Sequence, residues 1–469
     1  MLNALDRQVS LTLNQKKLIL AGTFGIVLEF LDYFLIGFIL TFIAKPWHLT
    51  VGMSSVILLS SGVGAMIGSA YFGWLADKIG RRRVFLLTIV LFSAGTAALI
   101  FTPDSAQYGP MYLTVFRFLI GFGAGGLYCV DLPLIQEFVP SQKRGVISGL
   151  VTSAVPAGFL LGSALVAFVA SSVGWRGLMT VCVGLSLITL LIRTWIPESP
   201  RWLLQNGQPD EARNSIAWAL QVDPRTLPLT SSVKIGPQPK FTELFCYPRS
   251  VAVSWITNLG TQTGYYGLTL WSPMLIVQFL QVSPQQAAYY MIFVTLAAFA
   301  GRIALSVLSE KFGRRASGVL CSGGAVAMLA IAAFSGDFLT GTAIGFLIVL
   351  MIAYFFGEGG FAIVGPYSAE VWPTSLRTTG MGFSYGFGGL GKIIGPLGLA
   401  LIVGTSTSVA PGASGISIQS AFLYFAAWYA VAGLAFLFLG IETKGRSIES
   451  IQDDLDKQVS NQPSEVARP

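Results

Sequence analysis

Long apolar runs, each bounded by glycine, proline or charged residues, recur along the whole chain. A transmembrane helix needs about 20 predominantly apolar residues, and twelve runs reach or approach this length. They cover residues 18–42, 54–75, 84–102, 112–137, 145–170, 176–196, 251–280, 286–308, 316–335, 340–368, 379–404 and 418–440. The pattern therefore predicts an all-α polytopic membrane protein with twelve transmembrane helices.

The composition agrees with this prediction. Of the 469 residues, 53% are hydrophobic and 11% are charged, and the charged share is roughly half that of an ordinary soluble domain. The net charge is +7, but Lys and Arg gather in short connections between the apolar runs. This distribution argues against a nucleic-acid partner. The four cysteines show no CxxC spacing, so neither a zinc site nor a disulfide framework is expected.

Basic residues in alternate connections predict the orientation, because cytosolic connections carry an excess of Lys and Arg. These residues are Lys78, Arg81, Arg82, Arg83, Lys143, Arg144, Lys311, Arg314, Arg315, Arg377, Lys444 and Arg446. The connections between them hold only Lys45 and Arg176. Both termini and residues 197–250 are therefore expected in the cytosol.

Two sequence repeats divide the chain into halves. The segment DKIGRR at 77–82 matches EKFGRR at 310–315, and EFVP at 137–140 matches EVWP at 370–373, both at an offset of 233 residues. The repeats predict two pseudo-symmetric six-helix bundles with a substrate site between them near the bilayer midplane. The expected domains are a bundle at 1–196, a cytosolic linker with short amphipathic helices at 197–250, a bundle at 251–440 and a cytosolic tail at 441–469.

The basic turn after the second apolar run resembles the signature of the major facilitator superfamily, G-x-x-x-D-[RK]-x-G-R-[RK]. Its positions are Gly73, Asp77, Lys78, Gly80, Arg81 and Arg82, and Gly73 is expected to permit close helix packing. PESPRWL and ETKGRSIE resemble the sugar-porter and metabolite:proton symporter branches. RFLIGFGAGG, EFVPSQKRG and EVWPTSLRTTGMG are similar to carriers of aromatic acids, nicotinate and organic ions.

The resemblance implies a cytosolic lock of charged residues that pair when the carrier opens outward. Its members would be Asp77, Arg81, Glu137, Arg144, Glu198, Glu310, Arg314, Glu370, Arg377 and Glu442. Asp131 and Arg302 lie about two turns deeper than Glu137 and Glu310, so they are assigned either structural or gating roles. Arg117 is too far along its helix to pair with Asp131, and its long side chain is expected to snorkel towards the membrane surface.

Ionisable residues inside apolar runs are functional candidates by default, because charge is costly within the bilayer. Glu29 and Asp32 interrupt IVLEFLDYFLIGF with a spacing of three, which puts them on one helical face. Glu358 and Lys392 lie near the middle of the tenth and eleventh runs. The resemblance implies that these spans line or adjoin one cavity. An alternative is that Lys392 pairs with Glu358 and only holds helices together.

A charge count addresses the role of these acids. Three midplane carboxylates face one midplane lysine, and burial disfavours the charged form of a carboxylate. At least one acid is therefore expected to hold a proton during part of the cycle, with Asp32 the first candidate and Glu29 the second. The competing interpretation is that the surplus acid binds a cationic substrate.

Polar and aromatic side chains in the same spans are candidates to bind a flat substrate ring. Together with Lys392 and Glu358 they are Tyr33, Tyr128, Gln262, Tyr265, Tyr266, Phe361 and Tyr385, and ordinary helix packing is the alternative for each. The aromatic-acid carriers that the chain resembles place an arginine in the eleventh span. Gly389 stands at that position here, and Lys392 follows about one turn later.

The predicted function is proton-coupled, alternating-access uptake of a small organic anion, such as an aromatic or nicotinate-like monocarboxylate. A sugar or organic-cation carrier and a facilitative uniporter remain as alternatives. No enzyme activity and no cofactor are expected, because the sequence has no metal-ligand cluster and no Ser or Cys with a neighbouring base. The expected partners are the substrate, protons and the lipid bilayer, with the chain a monomer in a bacterial inner membrane.

Overall fold

The computed structural model describes residues 4–5, 8, 10–228, 241–334, 343–373, 376–405, 407 and 415–444. Within these residues the regular secondary structure is helical. The helices, numbered in chain order, are α1 (Leu13–Ile43), α2 (Val51–Ile79), α3 (Arg81–Ile100), α4 (Gly109–Phe138), α5 (Arg144–Thr152), α6 (Val155–Arg193), α7 (Pro200–Gln205), α8 (Pro209–Leu220), α9 (Pro248–Leu280), α10 (Pro284–Phe312), α11 (Arg314–Phe334), α12 (Ala343–Glu370), α13 (Arg377–Gly389), α14 (Gly391–Val403) and α15 (Gly415–Leu439).

Ten stretches of the described chain are long and apolar enough to cross a membrane. One of them, Leu150–Arg193, covers most of the fifth and the sixth predicted spans, which are separated at Gly174 by a residue with φ of 66°. The seventh predicted span is α9, whose Asn, Gln and Thr residues lower its mean hydropathy. All twelve predicted spans thus fall mainly on helices in the described residues, and the fold class predicted from the apolar runs is confirmed.

The chain forms two compact units. The first comprises Met1–Ile39 with Ser60–Gly236, and the second comprises Leu40–Leu59 with Pro237–Pro469. In the first unit, α8 covers the segment PDEARNSIAWAL. Its last turn is tied to the start of α1, where the Asn14 side-chain amide donates to the Trp218 carbonyl at 2.7 Å.

Glycines bring α4 against α2 in the first unit. A Cβ atom at Gly121 would lie 2.0 Å from the Ser61 carbonyl oxygen, and one at Gly125 would lie 2.1 Å from that of Ala65. Small residues at a four-residue spacing let two helix backbones approach closely in a membrane. The glycines of α4 thus form a close helix contact, which brings Ser61 of α2 within reach of α4 side chains.

Gly121→Ala is expected to destabilise the protein by about 1–3 kcal/mol, because the added methyl group forces two backbones apart. Gly73→Ala is the matched control. A Cβ there would meet none of the described residues within 4 Å, so the close packing predicted for Gly73 is not found among them. Alanine there should stabilise the helix by up to about 1 kcal/mol. Thermal unfolding of the purified variants in one detergent measures both effects. Equal midpoints for the two variants would contradict the packing argument.

In the second unit, the eleventh span is interrupted at Leu390, between α13 and α14. The segment after the interruption packs closely on α9, since a Cβ at Gly391 would lie 2.5 Å from the Thr263 amide nitrogen. A Cβ at Gly395 would lie 2.8 Å from the Cα of Gly267. This close contact sets Lys392, the first residue after Gly391, beside the polar middle of α9.

Candidate functional site

Asp32 of α1 forms a buried ion pair with Arg117 of α4. The Arg117 Nη1 atom lies 2.6 Å from Asp32 Oδ2, and the side chains are 1% and 2% exposed. Nη2 of the same guanidinium donates to the Ser61 hydroxyl at 3.1 Å. The prediction that Arg117 snorkels towards the membrane surface is therefore wrong. Its side chain stays buried because its charge is compensated inside the first unit.

One oxygen of Asp32 is engaged and the other is not. Oδ2 receives the Arg117 hydrogen bond, whereas Oδ1 is buried with no hydrogen-bond partner among the described residues. The side chain of Thr96 lies beside the carboxylate. Asp32 can accordingly accept a proton on one oxygen while the other still contacts the guanidinium.

A second buried ion pair joins Asp131 of α4 to Arg193 at the end of α6. Both carboxylate oxygens of Asp131 accept hydrogen bonds from Arg193, at 2.5 and 3.3 Å. The guanidinium lies over the Phe85 ring, with its Cζ 3.8 Å from the ring centroid. A Cβ at Gly25 of α1 would lie 2.1 Å from Arg193 Nη2, so the pair is also packed against α1.

Arg193 was missed by sequence reasoning. It lies at the end of the sixth apolar run, where a basic residue resembles an ordinary interfacial anchor. The only available signal was that a buried acid such as Asp131 needs a cationic partner. Asp131 and Arg117 do not pair with each other, as their separation along α4 predicted.

A third buried ion pair lies in the second unit, between Glu358 of α12 and Arg302 of α10. Glu358 is completely buried, and the Tyr265 side chain of α9 lies beside its carboxylate. The alternative in which Lys392 pairs with Glu358 is therefore wrong. The three-acids-to-one-lysine count is also wrong, because Arg117 and Arg302 each compensate one of those acids.

Lys392 instead lies against an aromatic cluster. Its Nζ atom is 5.0 Å from the ring centroid of Tyr266. The Tyr265 and Phe361 rings are 4.9 Å apart in an edge-to-face arrangement, and Tyr266 lies 5.5 Å from Tyr265 and 5.9 Å from Phe361. We call Lys392, Tyr265, Tyr266, Phe361 and Gln262 the Lys392 site. A cation beside an aromatic face is a stable arrangement that leaves N–H donors directed away from the ring.

Gln262 adds an acceptor to the Lys392 site. Its amide nitrogen donates to Asn258 Oδ1 at 3.2 Å and to the carbonyl of Tyr385 at 3.4 Å. Its oxygen, Oε1, is buried without a hydrogen-bond partner among the described residues. A Cβ at Gly388 would lie 2.2 Å from Gln262 Nε2, so this polar group adjoins the end of α13.

The remaining candidates of the first unit lie on α1 and α4, and the two on α1, Glu29 and Tyr33, are buried. Glu29 is 6% exposed. Tyr33 packs edge-on against Phe34, with ring centroids 5.4 Å apart. The side chain of Tyr128 lies outside the described part of the structure. The substrate and proton roles assigned to these residues stay predictions.

Charged residues at the predicted cytosolic end of the first unit form one cluster, which we call the α3 end cluster. Arg81 pairs with Glu137, and the Ser199 hydroxyl donates to the same carboxylate. Glu198 accepts hydrogen bonds from the backbone N–H groups of Arg81 and Arg82 at 2.9 and 3.0 Å. A carboxylate at a helix N-terminus satisfies free donors and complements the helix dipole.

The second unit repeats this geometry in an α11 end cluster. Arg314 lies 3.2 Å from Glu370, and the Thr443 hydroxyl donates to the same carboxylate at 2.5 Å. Glu442 accepts from the backbone N–H groups of Arg314 and Arg315 at 2.9 and 3.2 Å. Glu198 and Glu442 thus make equivalent contacts, although the 233-residue offset does not relate their positions. The short motifs PES and IET are the sequence signal that relates these two residues.

The other predicted lock residues have more local contacts. Glu310 pairs with Arg314 at 2.7 Å, and the Asp77 carbonyl accepts from the Trp202 indole at 2.9 Å. Arg144 donates to the Val139 carbonyl at 3.3 Å and Arg377 to the Ala369 carbonyl at 3.1 Å. Asp131 and Arg302 are held in the buried pairs described above.

A family model described as "Sugar (and other) transporter" matches residues 18–455. The chain is 28% identical over 436 residues to the niacin transporter NiaP of Acinetobacter baylyi, covering 91% of this chain and 94% of the relative. It is 26% identical over 406 residues to the cis,cis-muconate transport protein of the same species, covering 86% and 89%. The inward-open structure of the xylose transporter XylE from E. coli shares the fold, with a TM-score of 0.73, 17% identity and coverage of 94% of this chain and 99% of that chain.

Proposed function

Because the chain belongs to the sugar (and other) transporter family of the major facilitator superfamily, we propose that it carries a small organic anion into the cell together with protons. The substrate is an aromatic or nicotinate-like monocarboxylate. Transport proceeds by alternating access in a bacterial inner membrane, with both termini in the cytosol. The relatives named for niacin and cis,cis-muconate transport support a small organic acid as the substrate, and the niacin relative supports a nicotinate-like monocarboxylate.

The single observation that carries the proposal is the Lys392 site. The ammonium group beside the Tyr266 ring can hold a carboxylate, and the rings of Tyr266 and Phe361 can contact the flat ring of the substrate. The buried Oε1 of Gln262 can accept a hydrogen bond from a donor on that ring. Lysine binds a carboxylate as a point charge rather than a fork, which tolerates several ring sizes and substitutions.

Glu358, the buried acid of the same unit, is not expected to repel an anionic substrate. Glu358 is paired with Arg302, so this pair adds no net negative charge next to the Lys392 site. The positive charge of Lys392 would repel an organic cation, and a neutral sugar would bring no opposite charge to it. The surrounding charge thus favours the anion over both alternatives.

Proton coupling is assigned to Asp32, with Glu29 in second place. The Asp32 and Arg117 charges attract each other in a buried site, where removing one of them is costly. A proton on Asp32 removes one charge and loosens the hold of Arg117 on α1. Proton binding shifts the equilibrium between two conformations by the difference between its free energies of interaction with each of them.

The end clusters supply the gate in this proposal. Each surface ion pair contributes little by itself, but a set that forms in one state and breaks in the other can shift a two-state equilibrium by a few kcal/mol. Arg81, Glu137 and Glu198 in one unit, and Arg314, Glu370 and Glu442 in the other, are already held in repeated geometry. Their role is conformational, without substrate contact.

Nicotinate uptake into proteoliposomes is expected to rise with an inwardly directed proton gradient. The double variant Glu29→Gln with Asp32→Asn should weaken that dependence, since neither side chain can then carry a proton. Radiolabelled nicotinate uptake at matched internal pH measures the effect, and Glu211→Gln, an exposed acid of the linker helix, is the control. Equal gradient dependence in the double variant would refute the proton assignment.

The substrate class is tested separately by thermal stabilisation of the purified protein. Nicotinate, benzoate, nicotinamide, choline and xylose are compared, because a ligand that binds the folded state raises the unfolding temperature by mass action. Stabilisation by the two carboxylates alone supports the proposal. Stabilisation by xylose or choline and not by the carboxylates would overturn it.

A further inference from the structure

We infer that Glu358 is a second proton-carrying carboxylate, so that each transport cycle moves two protons, one on Asp32 and one on Glu358. The stoichiometry of two protons per transport cycle rests on the proposed function. The inference about Glu358 stands on its own as a statement about which buried acids of the protein accept protons.

The first observation is a geometry that Asp32 and Glu358 share. Each is fully buried, and each gives one carboxylate oxygen to a guanidinium, Arg117 for Asp32 and Arg302 for Glu358. The second oxygen of each, Oδ1 of Asp32 and Oε2 of Glu358, is buried with no hydrogen-bond partner among the described residues. A proton can add to that oxygen without displacing the guanidinium from the other.

Asp131 provides the contrast within the same protein. It is equally buried, but both of its oxygens accept hydrogen bonds from Arg193. A proton on either oxygen would turn the acceptor of one of these charge-assisted bonds into a weaker, neutral one, and charge-assisted bonds are the stronger class of hydrogen bond. The structure therefore separates two proton acceptors from one structural carboxylate, although all three acids have arginine partners.

The surroundings of Glu358 contain few other charged or titratable groups. Arg302 of α10 is its ion-pair partner, and the hydroxyl-bearing rings near it are Tyr265 of α9, Tyr354 of α12 and Tyr429 of α15. The tyrosine hydroxyls can exchange hydrogen bonds with either form of the acid, because a hydroxyl both donates and accepts. Arg302 is the charged group of this set, and its attraction to Glu358 weakens when Glu358 is protonated.

Tyr265 links this acid to the Lys392 site. It lies beside the Glu358 carboxylate and packs edge-on against Phe361 at 4.9 Å and Tyr266 at 5.5 Å. A change in the charge of Glu358 thus reaches the substrate rings through one side chain. Moving two protons with one monocarboxylate also makes transport electrogenic, whereas one proton would make it electroneutral.

The first test needs no substrate. Infrared difference spectra of the purified protein in lipid, between alkaline and acidic buffer, report the C=O stretch of protonated carboxylic acids, which a buried site shifts away from its frequency in water. The Glu29→Gln with Asp32→Asn variant should retain such a band. The further change Glu358→Gln should remove it, whereas Asp131→Asn in place of Glu358→Gln should leave it.

The inference is overturned if the Glu29→Gln with Asp32→Asn variant shows no such band, or if Glu358→Gln leaves it unchanged. Arg302→Lys covers the case in which Glu358→Gln does not fold, because it keeps Glu358 and its compensating charge. That variant should shift the band, and an unshifted band would also overturn the assignment.

The second test measures charge per nicotinate in proteoliposomes on a supported membrane. The wild-type protein should move one net positive charge with each nicotinate, and Glu358→Gln should lower this ratio to zero. An unchanged ratio overturns the inference. If nicotinate is not carried at all, the proposed function fails instead, and the infrared result alone decides the role of Glu358.

Discussion

Asp131→Ala is expected to lower the free energy of unfolding by about 3–5 kcal/mol, the usual cost of removing one partner from a buried ion pair. Arg193 is completely buried, and both oxygens of Asp131 hold its guanidinium. Without Asp131, the Phe85 ring would be the one favourable contact left to that charge in the part of the chain that the structure describes. Denaturant titration of the purified protein in mixed micelles measures the loss.

Two further variants separate burial of charge from a general effect of mutation. Asp131→Leu with Arg193→Met removes both charges at similar volume and should recover most of the lost stability. Asp210→Ala breaks an ion pair with Arg213 in which the aspartate is 71% exposed, and it should cost no more than about 1 kcal/mol. A similar loss for Asp131→Ala and Asp210→Ala would show that the buried pair does not hold α4 to α6.

Lys392→Ala is expected to weaken nicotinate binding by about 10- to 100-fold. A hydrogen bond to a charged group contributes about 1.5–3 kcal/mol, and each 1.4 kcal/mol or so is tenfold in affinity. The alanine variant keeps the Tyr266 and Phe361 rings, so stacking of the substrate ring is retained while the carboxylate loses its counter-charge. Isothermal titration of the purified variants with nicotinate measures the change.

Nicotinamide provides the internal comparison, because it has the same ring without the carboxylate. Its affinity should change little in Lys392→Ala, so the variant loses its preference for nicotinate rather than all binding. Lys17→Ala removes an exposed lysine at the start of α1 and should leave both affinities unaltered. Unchanged nicotinate affinity in Lys392→Ala would remove the carboxylate assignment from the Lys392 site.

The helices and the repeated ends were predictable because their signals are local. Apolar runs of membrane-spanning length predict helices directly, and the motif around Arg81 reappears around Arg314 with the same spacing. The α9 helix was found despite its polar residues, because its apolar flanks extend the run to a full span.

The partners of the buried acids were not predictable from these signals. The charge count compared Glu29, Asp32 and Glu358 with Lys392 because all four lie at a similar predicted depth in the membrane. A similar depth does not show that two side chains are in contact. Arg117, Arg193 and Arg302 lie near the predicted ends of their spans, and a single sequence does not show which way a long arginine side chain turns. Gly73 shows the same limit, since its motif suggested a helix contact that is not found among the described residues.

The sequence by itself determined that this protein is a twelve-helix carrier with repeated halves and charged ends, because length, hydropathy and short motifs act within a few turns of chain. The tertiary structure decided which charges meet: Asp32 with Arg117, Asp131 with Arg193, and Glu358 with Arg302. Those pairings depend on helix rotation and close glycine contacts between segments far apart in the chain. Only that geometry distinguishes a carboxylate with an oxygen left for a proton from one whose oxygens are both bound.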